Sequence, residues 1–300
     1  MKYLKLIRFP NLLILAAGMY LLRLMVVEPL LIMSHHAPVV SDFHFLLMVL
    51  STVFIAAGGY IINDIEDVET DLINKPSKVI IGNSISKDAA WNIYLLITFT
   101  GICIGFYLTL IEKIRYVAYI EMVAAGILYF YSTTYKRMIL IGNILVAALS
   151  AFSIALVYLV EPEAASIVPL KILASAYVAF AFVVSFAREI IKDIQDIKGD
   201  KESGCNTLPV VAGVGISKIL VFCLVLLVLV ALIGVQISSH QWDARISFIY
   251  VVLFIQIPLL LLLVSVVIAS DEADFARCSF LTKTIMITGI LSMPVFYYSF

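Results

Sequence analysis

Long apolar segments alternate with short polar ones along the whole chain. A helix of roughly 20 mostly apolar residues is long enough to cross the hydrocarbon core of a bilayer. The pattern therefore predicts an all-α integral membrane protein that forms a single membrane domain over residues 1–300. The nine predicted transmembrane helices are 11–33, 44–63, 90–111, 116–134, 139–160, 168–187, 216–237, 246–269 and 280–299.

The polar segments between these spans carry unequal amounts of positive charge. If the N-terminus lies in the cytoplasm, 15 of the 20 Lys and Arg residues fall in cytoplasmic segments and four fall in outer ones. Lys and Arg in short loops favour the cytoplasmic side of a membrane. We therefore expect the N-terminus on the cytoplasmic side and, after nine crossings, the C-terminus outside.

The composition agrees with a membrane protein and excludes several other classes. Charged residues make up 14 % of the chain and the mean hydropathy is +1.08, whereas a soluble domain carries about 25 % charged residues. The net charge of −1 offers no basic field for nucleic acid. The four cysteines form no CxxC pair and no pair with histidine, so we expect neither a disulfide framework nor a zinc site.

Two acid-rich segments interrupt the apolar pattern, NDIEDVETD at 63–71 and KDIQDIKGD at 192–200. Each follows an apolar span, and four spans separate them, so both emerge on the same, cytoplasmic side. The repeat predicts an internal duplication of a four-helix unit, 44–160 and 168–299, with the first span added in front. The matching acids, 129 residues apart, are Asp64 with Asp193, Asp67 with Asp196, and Asp71 with Asp200.

The spacing of these acids predicts a shared binding site. If each helix continues through its motif, intervals of three and four residues place the acids on one face. Oxygen ligands without His or Cys suit Mg²⁺, which commonly binds a few carboxylates together with substrate phosphates. One set in each half predicts two ions. Lysines near the motifs favour a diphosphate ligand, although the positive-inside bias alone accounts for most of these charges.

Other interpretations of the acids carry different consequences. A single acidic run is most often a solvated helix end, but two copies at identical spacing disfavour that interpretation. A divalent-cation transporter would also place acids in a membrane, usually near the bilayer midplane. Here the acids lie at span ends beside lysines, which would repel a cation. Elsewhere, Arg23 and Glu28 in the first span are expected to pair near the outer boundary.

The two motifs resemble those of the UbiA superfamily of intramembrane prenyltransferases. Asn63, Asp67 and Asp71 fit the family's NxxxDxxxD motif, and Asp196 and Asp200 fit its DxxxD motif. The stretches LIRFPNLLI and YSTTYKRMILIGN resemble two further segments of the family. The resemblance therefore covers nearly the whole chain.

The resemblance implies nine transmembrane helices around a central cavity, with two Mg²⁺ ions that bind the diphosphate of a polyprenyl donor. The implied metal ligands are Asn63 and the four catalytic acids Asp67, Asp71, Asp196 and Asp200. The implied substrate contacts are Arg8, Asn11, Lys78, Tyr131, Lys136 and Lys201. From the repeat alone, Asp64 and Asp193 are expected to support the metal ligands. Aromatic rings can stabilise an allylic cation, and the candidates near the motifs are Tyr129, Phe130, Phe182 and Phe186.

The acceptor is left open by the sequence. The segments REIIKDIQDIKGD and LIRFPNLLI look most like the branch that transfers geranylgeranyl to geranylgeranylglycerol phosphate. Other branches prenylate aromatic acids in quinone biosynthesis with the same metal site. The expected partners are thus a polyprenyl diphosphate, a lipid or aromatic acceptor, and the surrounding membrane lipids, with the ether lipid preferred.

Overall fold

The computed structural model describes residues 2–111, 116–238 and 245–299, except the side chains of residues 78, 111 and 238. In these ranges regular structure is helical, apart from one isolated bridge between Ile81 and Ile85. The predicted all-α membrane architecture is confirmed. The long helices are α1 (Phe9–Met33), α2 (Asp42–Glu66), α3 (Lys87–Ile111), α4 (Val117–Thr133), α5 (Ile141–Leu159), α6 (Val168–Gln195), α7 (Gly213–Ser238), α8 (Arg245–Ile268) and α9 (Glu272–Tyr297).

Each predicted span overlaps one of these helices. Within the described ranges, eight of them are long and apolar enough to cross a membrane. The ninth, α4, has 17 residues and is shorter than the others. A count of nine crossings therefore stays a prediction. The junction between α3 and α4 includes residues 112–115, which lie outside the described part.

The largest differences in boundaries occur where charged residues extend a helix. The apolar pattern ends the sixth span at residue 187, but α6 continues for two more turns to Gln195. Likewise, α9 begins at Glu272 instead of residue 280. The side chain of Asp271 accepts a hydrogen bond from the backbone N–H of Asp274 (2.8 Å) and caps this N-terminus. A criterion based on apolar residues alone cannot include such polar turns.

Both acid motifs interrupt their helices at the same place. Asp67 (φ −93°, ψ 1°) follows the last residue of α2, and Asp196 (φ −97°, ψ 9°) follows the last residue of α6. A short helix then begins in each half, Val68–Asn74 in the first and Ile197–Glu202 in the second. The expectation of one continuous helix through each motif is therefore wrong.

The break nevertheless keeps successive motif acids one helical turn apart. The backbone N–H of Asp71 donates to the carbonyl of Asp67 (2.7 Å), and that of Asp200 donates to the carbonyl of Asp196 (3.1 Å). Each motif thus passes from its long helix into a short one after a single non-helical residue. The two short helices can then pack on each other at one end of the bundle, as they do here.

Six of the long helices, α1, α2, α4, α5, α6 and α9, surround a central cavity. The helix α2 packs on α3 and α4, α5 packs on α6, and α6 also packs on α7 and α9. As a result, α3, α7 and α8 stand outside this ring. Buried apolar side chains fill the helix contacts on both sides of the cavity. The central cavity that the resemblance implies is therefore present.

Arg23 organises the end of the bundle opposite the acid motifs. Its guanidinium pairs with Glu28, which confirms the predicted ion pair. It also contacts a carboxylate oxygen of Asp42 (2.9 Å), donates to the carbonyl of Val40 (2.8 Å) and lies 4.3 Å from the centre of the Phe45 ring. These contacts join the second half of α1 to the start of α2.

We expect Arg23→Met to destabilise the fold while leaving the distant acid motifs intact. Removal of one partner from a buried ion pair leaves a poorly solvated carboxylate, at a cost of about 3 kcal/mol in the free energy of unfolding. Chemical unfolding of the purified protein in detergent measures this change. Arg277→Met is the matched control, because that guanidinium is 77 % exposed. Equal stabilities for the two variants would contradict the structural role of Arg23.

Candidate active site

The two acid motifs meet through their short helices, and Asn74 joins them. The amide nitrogen of Asn74 donates to the carbonyl oxygen of Asp196 (3.1 Å). The amide oxygen of the same side chain accepts from the backbone N–H of Gly199 (2.8 Å). The hydroxyls of Thr70 and Ser203 lie 2.9 Å apart and add a second contact. The motifs, distant in sequence, thus form one polar cap on the bundle.

A lysine neutralises one acid of each motif. The Lys136 ammonium lies 2.5 Å from one carboxylate oxygen of Asp67, whose other oxygen accepts from the amide of Asn63 (2.7 Å). The Lys75 ammonium forms an ion pair with Asp196, with a distance of 2.7 Å to Oδ2. Lys75 follows the first motif but pairs with the second, so it adds a charged link between the halves.

Among the described ion pairs, Asp71 and Asp200 are the motif acids without a lysine partner. Burial and the nearby carboxylates Asp67, Asp64 and Asp196 raise the pKa of Asp71 to about 6. Burial also raises the pKa of Asp200 to about 6, against a hydrogen bond from the hydroxyl of Thr207 (3.1 Å). A group of carboxylates with raised pKa values would be stabilised by an additional cation.

The chemistry of these side chains fits magnesium. Within the described ranges, no three His, Cys, Asp or Glu side chains lie close enough together to hold one ion. The available donors are nevertheless carboxylates and an amide, without imidazole or thiolate, which is the set that Mg²⁺ prefers. An ammonium group already supplies positive charge at each motif. Ion binding would require Lys136 and Lys75 to move away from their acids.

The acids that precede the motif breaks anchor neighbouring elements. Asp64 accepts a hydrogen bond from the guanidinium of Arg8 (2.7 Å), in the segment before α1. Asp193 accepts from the amide nitrogen of Asn143 on α5 (2.7 Å). Such contacts fix the ends of α2 and α6, from which the short helices depart. The supporting role expected for Asp64 and Asp193 stays a prediction.

The central cavity begins beside this cap and has a volume of about 310 Å³. Most of its wall is apolar, as a polyprenyl chain requires, and one end is polar. The lining residues of that polar end are Arg8, Asn11, Asn63, Tyr131, Arg188, Glu189, Lys192 and Lys283. Neither Asp67 nor Asp196 lines the cavity. The carboxylate of Asp67 adjoins it, since Asn63 both lines the cavity and donates to Asp67.

The structure separates the predicted substrate contacts into three groups. Arg8, Asn11 and Tyr131 line the cavity, and Arg8 also lies over the ring of Tyr60 at 5.0 Å. Lys136 is bound to the first motif. Lys201 is exposed on the second short helix, and the side chain of residue 78, predicted as a further contact, lies outside the described part.

The four aromatic residues predicted to contact a cation do not line the cavity in the described part of the chain. Tyr129 and Phe130 are partly exposed on the outside of α4, at 37 % and 53 %. Phe182 and Phe186 belong to the apolar core instead of the cavity wall. The tyrosine or phenylalanine residues that do line the cavity are Tyr60, Tyr131, Phe152, Tyr177 and Phe180. Proximity in sequence to a motif does not determine which side of a helix a ring faces.

Five charged residues that line the cavity lie outside the predicted site, namely Arg188, Glu189, Lys192 and Lys283 at the polar end, and Glu121 on α4. Glu189 accepts from Lys192 (2.8 Å) and Arg188 (3.1 Å), and Lys283 donates to the amide oxygen of Asn11 (2.8 Å). A signal for two of them was present, because Glu189, Lys192 and Asp196 are spaced i, i+3 and i+7. For Lys283 the signal was a lone charge in an apolar helix.

Comparisons with known proteins agree with these features. A model described as the UbiA prenyltransferase family matches residues 12–284. A protein of Sulfolobus acidocaldarius named digeranylgeranylglyceryl phosphate synthase is 34 % identical over 56 % of this chain, and the chain spans 58 % of that relative's length. A protein of Sulfurisphaera tokodaii with the same name is 32 % identical over 69 % of this chain and 70 % of its own length.

Solved structures share the fold. An apo UbiA homologue from Aeropyrum pernix K1 superposes with a TM-score of 0.68 at 14 % identity, over 94 % of this chain and 96 % of the other. A UbiA homologue from Archaeoglobus fulgidus bound to GPP and Mg²⁺ gives a TM-score of 0.62 at 18 % identity, over 98 % and 100 % of the two chains.

Proposed function

This chain belongs to the UbiA prenyltransferase family, and on that basis we propose that it transfers a geranylgeranyl group from its diphosphate to geranylgeranylglycerol phosphate. The observation that carries the proposal is an apolar cavity with a basic end, next to the paired acid motifs. The name of the curated relatives supports the glycerol phosphate acceptor. In this proposal the polyprenyl tail packs against the apolar wall of the cavity, and its diphosphate binds at the polar cap.

The donor diphosphate would be bound through two magnesium ions, one for each motif. The residues that would hold the ions are Asn63, Asp67, Asp71, Asp196 and Asp200. When bound, magnesium supplies positive charge that stabilises the departing diphosphate. The homologue from Archaeoglobus fulgidus bound to GPP and Mg²⁺ supports the use of magnesium with a prenyl diphosphate. Lys136 and Lys75, once released from Asp67 and Asp196, would be available to the diphosphate.

The remaining chemistry belongs to the cavity. The bond between C1 of the donor and the diphosphate oxygen breaks, and the apolar wall keeps water from the allylic cation. The rings of Tyr60 and Tyr131 lie at the polar end of the cavity, where such a cation would form. The acceptor hydroxyl oxygen then bonds to C1 and gives its proton to the departed diphosphate, which completes the ether. The wall therefore directs the cation to the acceptor instead of to water.

We also propose that the chain crosses the membrane nine times as one domain, with the N-terminus and the cap in the cytoplasm and the C-terminus outside. The uneven distribution of Lys and Arg supports this orientation. A duplication of residues 44–160 as 168–299 is supported by the equivalent breaks at Asp67 and Asp196. In this arrangement each half contributes one motif to a shared site.

We expect the purified protein in detergent, supplied with radiolabelled geranylgeranyl diphosphate and Mg²⁺, to prenylate geranylgeranylglycerol phosphate. Excess EDTA should abolish the product, because the diphosphate would lose its neutralising ions, and added Mg²⁺ should restore it. Thin-layer chromatography and mass spectrometry identify the ether. A parallel reaction with boiled protein measures how much product forms without the enzyme.

The alternative acceptor is 4-hydroxybenzoate, assayed in parallel. Product with this aromatic acid alone would show that the protein is a prenyltransferase, but it would overturn the proposed lipid acceptor. Product formed equally well in EDTA would contradict the magnesium-dependent donor site.

A further inference from the structure

The polar end of the cavity carries more positive charge than its carboxylates balance. Arg8 is paired with Asp64, whereas Arg188 and Lys192 share the single carboxylate of Glu189. The fourth cation of this group, Lys283, donates to the neutral amide of Asn11 (2.8 Å). Among the described residues of the cavity's polar end, the ion pairs of the four cations thus use only two carboxylates, those of Asp64 and Glu189. The nearby carboxylate of Asp193 accepts a hydrogen bond from the amide of Asn143 instead (2.7 Å).

Two polar atoms at this end lack partners. Within the described residues, Nε of Arg188 and the hydroxyl of Ser185 are buried and form no hydrogen bond. Both residues line the cavity, and they lie one turn apart on α6. Buried polar groups are normally hydrogen-bonded, so two unpartnered groups on one face indicate a ligand. Lys283 lies within electrostatic range of Arg188, which extends the positive surface to α9.

This group is distinct from the cap that would hold the donor diphosphate. Arg188 precedes Asp196 by eight residues on α6, which is about 12 Å along a helix axis. The lysines that contact the motif acids, Lys75 and Lys136, come from loops and do not line the cavity. Two positively charged surfaces thus adjoin the reaction space from different directions.

Resting on the proposed function, we infer that Arg188, Lys192, Lys283 and Ser185 bind the phosphate monoester of the lipid acceptor. Two of the four cations lack a carboxylate partner of their own, which suits a phosphate monoester that carries about −1.5 to −2 at neutral pH. An aromatic carboxylate has a single negative charge and would leave one cation unbalanced. In a glycerol phosphate lipid the phosphate and the attacking hydroxyl lie on neighbouring carbons, so binding of the phosphate beside the cap places the hydroxyl near C1 of the donor.

Lys283→Gln tests the inference with little risk to the fold. The substitution leaves no carboxylate without its partner, since Lys283 contacts the amide of Asn11, and glutamine can still donate to that oxygen. The probes are geranylgeranylglycerol phosphate, its dephosphorylated alcohol and geranylgeranyl diphosphate, each radiolabelled. Their equilibrium binding to the purified protein in detergent is measured without turnover. Lys283→Arg retains the charge, and Arg277→Gln removes an exposed charge from the same helix.

The wild-type protein should bind the phosphate lipid more tightly than the alcohol. Lys283→Gln should raise the Kd of the phosphate lipid by about tenfold or more, the effect of losing one charged hydrogen bond. Its Kd values for the alcohol and the donor should not change. Lys283→Arg should restore most of the affinity, and Arg277→Gln should bind all three probes as the wild-type does.

Two outcomes would overturn the inference. The group would serve the donor if Lys283→Gln raised the Kd of the diphosphate and not that of the phosphate lipid. Equal binding of the phosphate lipid and the alcohol to the wild-type would show that no phosphate site exists. Failure of the proposed function is distinguishable, because it would appear in the transfer assay as product with the aromatic acid alone.

Discussion

Asp67→Asn and Asp196→Asn should each reduce turnover by about 10²- to 10³-fold, the size of effect seen when one stabilising contact to developing charge is removed. Asp67 and Asp196 stand at the two helix breaks, and each is paired with a lysine. Asparagine has the same shape but no charge, so it would neither attract a magnesium ion nor hold the lysine ammonium. Steady-state transfer at saturating donor measures the loss.

The matched control for these variants is Glu69→Gln. Glu69 is an exposed acid on the first short helix and fits neither motif. The control should keep wild-type turnover, and all three variants should elute from size exclusion as folded protein. Normal turnover in either Asp67→Asn or Asp196→Asn would contradict a site shared by the two motifs.

Gly199→Ala should lower turnover by about 10²-fold, because displacement of catalytic groups by about an ångström has an effect of this size. A Cβ atom at Gly199 would lie 2.5 Å from Cγ and 2.6 Å from Oδ1 of Asn74. Asn74 would have to leave its hydrogen bonds to Gly199 and Asp196, which join the two short helices. Replacement of glycine by alanine ordinarily stabilises a helix. A loss of activity in Gly199→Ala would therefore come from the displaced Asn74 contact and not from a weaker helix.

A double-mutant cycle separates this contact from other effects. Asn74→Ala removes the side chain that the new Cβ would meet, so Gly199→Ala should add little further loss in that background. Gly215→Ala on α7 is the control, because a Cβ there meets nothing within 4 Å. Independent effects of Gly199→Ala and Asn74→Ala would show that the junction does not position the motifs.

Much of the architecture could be predicted because it depends on short-range patterns. Apolar runs locate every long helix, and the repeated acids identify the two segments that meet in the cap. The breaks at Asp67 and Asp196 were missed for a physical reason. Acids spaced by three and four residues share a face in an unbroken helix, and they stay one turn apart when the helix bends between them. The spacing is therefore the same for both conformations.

The charged contacts between distant elements could not be read from the sequence. Lys75 follows the first motif, but it pairs with Asp196 only because the short helices pack together. Lys283 and Asn11 are joined across nearly the whole chain by the packing of α9 on α1. Such pairs depend on tertiary structure, so no periodic pattern within a single segment predicts them. The positive-inside bias makes these pairs harder to recognise, because many cytoplasmic lysines only determine membrane orientation and bind no partner in the site.

The most direct test of the shared donor site is equilibrium binding of radiolabelled geranylgeranyl diphosphate to the purified wild-type protein without acceptor. The account predicts binding in Mg²⁺, its loss in excess EDTA, and weak binding to both Asp67→Asn and Asp196→Asn in Mg²⁺. Tight binding that persists in EDTA, or that survives in both variants, would show that the two acid motifs do not hold the donor.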